Sequence, residues 1–177
     1  MVFDEAYYEF PDSPPDTLKY VRDGRNVCVL RTFSKIHGLA ALRVGYGLAS
    51  KNVATLLQKA RQPFNVNAIA QAGALAALAD SAHIEKTRAV NSSGMAFYET
   101  ALAERGLEFV PSYANFILIK VGDGDRVFRD MLKQGVIIRA MSSYKLPDWV
   151  RISIGTQTQN ERCIEVLDSV LATEAAV

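Results

Sequence analysis

The chain has 177 residues, 49% hydrophobic and 22% charged, the proportions of a globular protein long enough to bury a core as one domain or two small ones. Its 20 basic and 19 acidic residues are scattered and leave a formal net charge of +1, which argues against nucleic acid or an anionic membrane as a partner and favours small ligands. No apolar run approaches the roughly 18–20 residues that span a bilayer, and the first residues do not read as a signal peptide. Cys28 and Cys163 are too few for a disulfide framework, so both are expected to be reduced core residues of a cytoplasmic protein.

Val2-Phe3-Asp4 reads as the end of a strand with nothing before it. A parallel strand needs neighbours on both sides and cover on both faces, so the chain is expected to be truncated. Residues 26–31 form a buried strand bounded by Asp23-Gly24. Residues 44–49 form another, whose Gly45 and Gly47 suggest close approach of a second backbone or a ligand. Ser50 is placed to cap a helix from Lys51 to about Arg61, which Pro63 ends, and Asn67 opens an alanine-rich helix to Ala79. A longer helix is predicted from Ser81 towards Arg105, with Ile84, Met95, Tyr98 and Leu102 on one face and an interruption, with a bend, at Ser92-Ser93-Gly94.

Past Gly106 the pattern becomes that of a small α+β domain. Strands are predicted at 115–121, 136–140 and 150–155. A helix over 125–134 has Val127, Phe128, Met131 and Leu132 inward and Gly135 as its stop. Thr156-x-x-Gln159 and Thr158-x-x-Glu161 compete as capping boxes for the last helix, whose buried stripe is Ile164, Leu167, Val170 and Leu171.

The chemistry concentrates at Thr32-Phe33-Ser34-Lys35, with Arg43 eight residues on. One amine, two hydroxyls and a guanidinium beside a strand end suit an aldehyde cofactor that carries a phosphate. Lys35 can form a Schiff base, and Thr32, Ser34 and Arg43 can bind phosphate oxygens. Asp4, at a strand end, can face a pyridinium nitrogen, and the Tyr7 phenol can reach a ring oxygen. Each has a plainer alternative: a solvated lysine, a turn or cap for Asp4, Thr32 and Ser34, packing for Tyr7, a surface ion pair for Arg43. For Arg43 the ligand reading gains weight because a lone charge entering an apolar strand needs an anion. Arg151, inside Val150-Arg151-Ile152-Ser153-Ile154, follows the same logic, with an internal salt bridge as its alternative. His37 and His83 have no partners at metal-ligand spacing, so no metal is expected.

These residues lie in blocks, Phe3-Asp4-Glu5-Ala6-Tyr7, Arg31-Thr32-Phe33-Ser34-Lys35, residues 39–46, residues 62–67, Ser112-Tyr113-Ala114-Asn115-Phe116 and residues 150–156, whose order resembles the fold-type I aminotransferases that use pyridoxal 5'-phosphate, above all those acting on histidinol phosphate. The resemblance implies an α/β fold. Residues 1–85 would be the C-terminal part of the cofactor-binding large domain, with a mixed, mostly parallel sheet, and residues 86–177 a connecting helix and a small α+β domain. It implies Lys35 as the catalytic amine, with Asp4, Tyr7, Thr32, Ser34 and Arg43 on the cofactor. Arg151 would take the substrate carboxylate and Arg139 the substrate phosphate. It further implies amino transfer between L-histidinol phosphate and 2-oxoglutarate, and a homodimer at full length. An aromatic aminotransferase, a threonine-phosphate decarboxylase or an inactive fragment of the same fold stand as alternatives.

Overall fold

The computed structural model describes residues 1–174, with side chains described to residue 172. It divides into two compact units, Met1–Arg88 and Ala89–Val177.

In the first unit β1 (Val2–Asp4) pairs in parallel with β2 (Cys28–Thr32), and β2 pairs antiparallel with β3 (Gly45–Ala49). The sheet is thus mixed, as expected, but with one of its two pairings antiparallel it is not mostly parallel. Residues 33–44 join β2 to β3 through a turn and a short 3-10 segment, Ala40–Leu42, with no crossover helix to carry the chain back for a parallel pairing. The strand alternation sorts side chains cleanly. Val29 is fully buried with Phe3 as its register partner, while Asp4, Leu30 and Gly47 share the opposite face. The turn after β2 is anchored by Phe33 and Ile36, both buried, with the Phe33 ring 4.9 Å from His37 and 5.5 Å from Tyr46 between centroids.

Helices α1 (Leu18–Arg22), α2 (Lys51–Ala60) and α3 (Ala68–Leu78) complete this unit with the start of α4 (Ser81–Glu104). Asn67 caps α3 as expected, its side chain accepting from the Ala70 amide at 2.8 Å. Ser50 precedes α2 but makes no side-chain cap bond, so the helix is stopped by the Pro63 region without being sealed at its start.

The second unit holds a four-stranded antiparallel sheet in the order β4 (Phe109–Val110), β5 (Phe116–Lys120), β7 (Trp149–Ser153), β6 (Arg139–Ala140). One sheet face packs Ile117, Ile119, Val150 and Ile152 against α4, α5 (Gly124–Lys133) and α6 (Gln157–Glu174), whose Tyr98, Leu102, Val127, Met131 and Leu167 close the core. Burial pushes the pKa of the Tyr98 phenol far up, with Cys163 beside it adding to the shift, so both stay uncharged. Of the two capping boxes, Thr156-x-x-Gln159 wins. Gln159 Oε1 accepts from the Thr156 amide at 2.9 Å, and the buried Asn160 clasps both backbone groups of Gly155 at 2.8 and 3.1 Å.

Two local expectations fail for packing reasons. Helix α4 runs unbroken through Ser92-Ser93-Gly94. Gly94 is there because a Cβ would collide with Ile154 and come within 2.8 Å of Asn160 Nδ2, so the glycine admits a neighbour instead of breaking the helix. Leu132 is 45% exposed, because α5 turns Val127 and Met131 inward and the residue after Met131 rotates off that stripe. A third expectation, the strand over 136–140, is met only at Arg139–Ala140.

Gly124 is packed against backbone rather than side chains. A Cβ there would strike the carbonyl of Trp149 and lie 2.8 Å from that of Pro147, backbone atoms that cannot swing aside. Gly124→Ala is expected to cost about 1–3 kcal/mol despite alanine's better helix propensity, read as a lower urea midpoint by Trp149 fluorescence.

The bidentate pair between Arg105 and Asp168, at 2.6 and 2.7 Å, ties α4 to α6. Bonds from Arg105 hold the Asp168 carboxyl below its usual pKa. A lowered folded pKa means the stabilisation is present above the unfolded value and is lost as pH falls through the folded one. Asp168→Asn is therefore expected to cost about 0.5–1 kcal/mol at pH 7, an exposed-pair value, and progressively less as the pH is lowered through the folded pKa, measured by denaturation at pH 7 and across the acid range.

Candidate functional site

The first unit gathers six of the sequence-predicted residues at one edge of its sheet. Asp4 ends β1 and Thr32 ends β2, and since the two strands are parallel these are both C-terminal ends, where α/β sheets open a crevice for ligands. The register places Asp4 beside Leu30, on the same sheet face as Thr32. Ser34 and Lys35 follow in the turn. Arg43 lies just before Gly45, the register partner of Thr32, and so at the same edge.

Local bonds fix this edge. The Asp4 carboxylate accepts the Ala6 amide at 3.1 Å, and Thr32 Oγ1 accepts the Ser34 amide at 3.0 Å. Tyr8 N–H to Glu5 O and Phe10 N–H to Tyr7 O, both 3.1 Å, curl the segment after β1 so that Tyr7 comes back towards the lysine. Lys35 is exposed, and its Nζ lies 5.1 Å from the centre of the Tyr7 ring, so residues 28 positions apart in the chain meet here. Gly45 and Gly47 present no side chains on the Asp4 and Thr32 face. The close backbone approach expected of them is real at Gly45, where a Cβ would lie 2.7 Å from the Arg31 carbonyl.

Arg43 corrects one premise. It is exposed, left-handed at φ 53°, and outside β3, with Nη1 donating to the Ala40 carbonyl at 2.7 Å. It closes the 3-10 segment with its guanidinium in reach of solvent, so burial does not oblige it to find an anion.

The logic applied to Arg43 belongs to Arg31, which sequence reasoning passed over. Arg31 is the cation that ends the apolar run Val27-Cys28-Val29-Leu30. Its Nε donates to Glu5 Oε2 at 3.0 Å and its guanidinium carbon sits 3.5 Å from the centre of the Tyr8 ring. Burial opposes the Arg31 charge, but bonds to Glu5 and Tyr46 outweigh it and leave the pKa raised. Glu5 also accepts from the buried Thr17 hydroxyl. This pair fastens the segment carrying Asp4 and Tyr7 onto β2.

His83, to which sequence reasoning assigned no role, is engaged: its Nε2 lies 3.0 Å from the Ile36 carbonyl. Among the described residues no group of three or more His, Cys, Asp or Glu side chains is placed to hold a metal ion, and no helix is long and apolar enough to cross a membrane.

In the second unit Arg151 and Arg139 are direct partners across β7 and β6. Residues paired this way project from the same face, here the one opposite Val150 and Ile152. The Arg151 guanidinium lies 4.9 Å from the Phe116 ring centre, and its Nε is buried without a hydrogen-bond partner. Two cations directly opposite repel, so the pair costs stability unless an anion lies between them.

The family model described as Aminotransferase class I and II matches residues 1–167. The chain belongs to the class I and II aminotransferases. Among members of this family, it is 62% identical to a histidinol-phosphate aminotransferase of Akkermansia muciniphila over 97% of the chain and 47% of that protein. The chain thus spans about half the length of the curated relatives it matches. It also superposes on the histidinol-phosphate aminotransferase of Sinorhizobium meliloti solved in complex with pyridoxal-5'-phosphate, at TM-score 0.85 and 30% identity over 97% of this chain and 48% of that one. An L-threonine-O-3-phosphate decarboxylase from Porphyromonas gingivalis matches at TM-score 0.86 and 26% identity, over 97% of this chain and 55% of that one.

Proposed function

We propose that these residues form the C-terminal part of a histidinol-phosphate aminotransferase, a cytoplasmic homodimer that moves an amino group between L-histidinol phosphate and 2-oxoglutarate with pyridoxal 5'-phosphate. The observation that carries this reading is the convergence of Asp4, Tyr7, Thr32, Ser34, Lys35 and Arg43 at one sheet edge, with the Lys35 amine against the Tyr7 ring. That donor set fits the cofactor chemically. It offers an amine to the aldehyde, hydroxyls and a guanidinium to the phosphate, a carboxylate to the ring nitrogen and a phenol to the ring oxygen. When bound, the cofactor supplies a ring that draws electrons away from the substrate Cα.

The chain's own residues do the rest. Lys35 Nζ would hold the cofactor through its aldehyde and, as a free amine, would accept the proton from the substrate Cα. The Asp4 carboxylate would stabilise a positive charge on the ring nitrogen. Arg151 takes the carboxylate of glutamate or 2-oxoglutarate and Arg139 the phosphate of histidinol phosphate, and an anion bound between them relieves their mutual repulsion. Helix α4 joins the cofactor-binding part to the small domain.

Two experiments test this. Pyridoxal phosphate added to the chain is expected to give the long-wavelength absorption of lysine-bound cofactor, absent in Lys35→Ala. A fusion of the N-terminal half of the Akkermansia muciniphila relative to this chain is expected to form glutamate from 2-oxoglutarate and histidinol phosphate. In that fusion Arg151→Ala should raise KM for 2-oxoglutarate roughly tenfold to a hundredfold, the value of a charge-assisted bond, and an unchanged KM would assign Arg151 to structure. A second reading, supported by the likeness to the threonine-phosphate decarboxylase, predicts release of carbon dioxide from threonine phosphate and no glutamate. A fusion that binds the cofactor but turns over neither substrate identifies a chain that captures cofactor without catalysis.

A further inference from the structure

The turn that carries Lys35 closes through its own backbone, with Gly38 N–H donating to Lys35 O and Leu39 N–H to Phe33 O, both at 2.9 Å. Such a turn leaves the carbonyl of its second residue, here Ile36, turned away from the local donors. His83, near the start of α4, takes it up, with Nε2 at 3.0 Å. A carbonyl only accepts, so Nε2 carries the proton and the imidazole is the donor.

Further along α4, Arg88 Nε donates to the carbonyl of Glu9 at 2.9 Å. Glu9 lies in the turn from Tyr7 to Phe10, which the Phe10 N–H to Tyr7 O bond closes. One helix thus sets a side-chain donor on each of the two turns that carry Lys35 and Tyr7. A third contact links the turns to each other, His37 Nε2 lying 4.0 Å from Glu9 Oε1.

We infer that His83 and Arg88 are positioning residues that hold the Lys35 and Tyr7 turns against each other, so that the amine is presented at the sheet edge in one geometry. They act through Lys35 and touch neither substrate nor cofactor. The catalytic consequence rests on the reading of Lys35 as the cofactor-bearing amine. The structural consequence does not. A reacting amine at the end of a four-carbon stem gains from a fixed Cα, since small displacements of a catalytic group are costly in rate. The start of α4 is capped separately, by Asp80 Oδ1 accepting the His83 amide at 3.0 Å, and the imidazole Nε2 also lies 3.4 Å from Thr87 Oγ1 one turn on.

The test compares His83→Leu, which removes the donor, with His83→Gln, which keeps a side-chain N–H. In the chain without cofactor, amide hydrogen exchange at Gly38 and Leu39 is expected to quicken about fivefold to tenfold in His83→Leu, as for one lost hydrogen bond, and to stay near wild type in His83→Gln. Exchange at Ile117 and Ile119, in the core of the second unit, should not change. Arg88→Met is expected to quicken Phe10 in the same way. With pyridoxal phosphate present, borohydride trapping of the cofactor on Lys35 should slow in His83→Leu and recover in His83→Gln. Unchanged exchange at Gly38 and Leu39 in His83→Leu, or a glutamine variant as fast as the leucine one, overturns the proposal. The expected exchange pattern without trapping in any variant upholds the clamp and overturns the cofactor reading instead.

Discussion

Glu5→Ala is expected to destabilise the first unit by about 3–5 kcal/mol, the cost of leaving a buried cation without its anion. The side chains of Arg31 and Glu5 are only 12% and 9% exposed, and Glu5 serves both Arg31 and the Thr17 hydroxyl. Removing the carboxylate strands a guanidinium packed on the Tyr8 ring and leaves the Thr17 hydroxyl unpaired. An exposed pair such as Lys120 and Glu108 sets the contrast, since its loss is worth about 0–1 kcal/mol. The chain's one tryptophan, Trp149, lies in the second unit, so its fluorescence does not report the loss. The measurement is a urea titration by far-ultraviolet circular dichroism, with the Trp149 transition as internal reference. Arg31→Ala should cost a similar amount, and the double variant less than the sum, because the two side chains form one unit. Equal midpoints for Glu5→Ala and wild type would show that Arg31 is satisfied without Glu5.

Lys35→Ala carries the largest expected effect on activity, a loss of about 10³-fold or more in glutamate formation by the fusion, because one amine both holds the cofactor and moves the substrate proton. Stability should barely move. Lys35 is exposed, and the bonds that shape its turn are backbone bonds or come from His83. A Lys35→Ala protein with wild-type unfolding and wild-type activity would remove the residue from the chemistry. Lys35→Arg separates charge from reactivity. It keeps the cation near Tyr7 but cannot form the Schiff base, and is expected to be as inactive as the alanine variant.

Much of this site was legible because its signals are local. The hydroxyls and amine of Thr32-Phe33-Ser34-Lys35 sit where an apolar strand stops, and Gly45 and Gly47 stand where an alternating strand should carry side chains. Asn67 and Thr156-x-x-Gln159 were readable for the same reason, each cap depending on residues within one turn. What the sequence concealed depends on partners far along the chain. Arg31 looked like one more strand-end cation until folding brought Glu5 across 26 positions, whereas Arg43, singled out for a burial it does not have, is held by a carbonyl three residues away. His83 gave no sign of its bond to Ile36, because a histidine on a polar helix face looks alike whether or not a turn carbonyl lies above it. Gly94 misled for a related reason. A glycine inside a helical pattern suggests a break, but here it answers to Ile154 and Asn160, which no local pattern announces.

The most direct test is chemical. The chain is incubated with pyridoxal phosphate, reduced with borohydride and digested, and the modified peptide is identified by mass. The label is expected on Lys35, with Asp4→Ala weakening cofactor retention. Labelling spread over surface lysines such as Lys51 and Lys133, undiminished in Lys35→Ala, would contradict the assignment of the cofactor to the edge where β1 and β2 end.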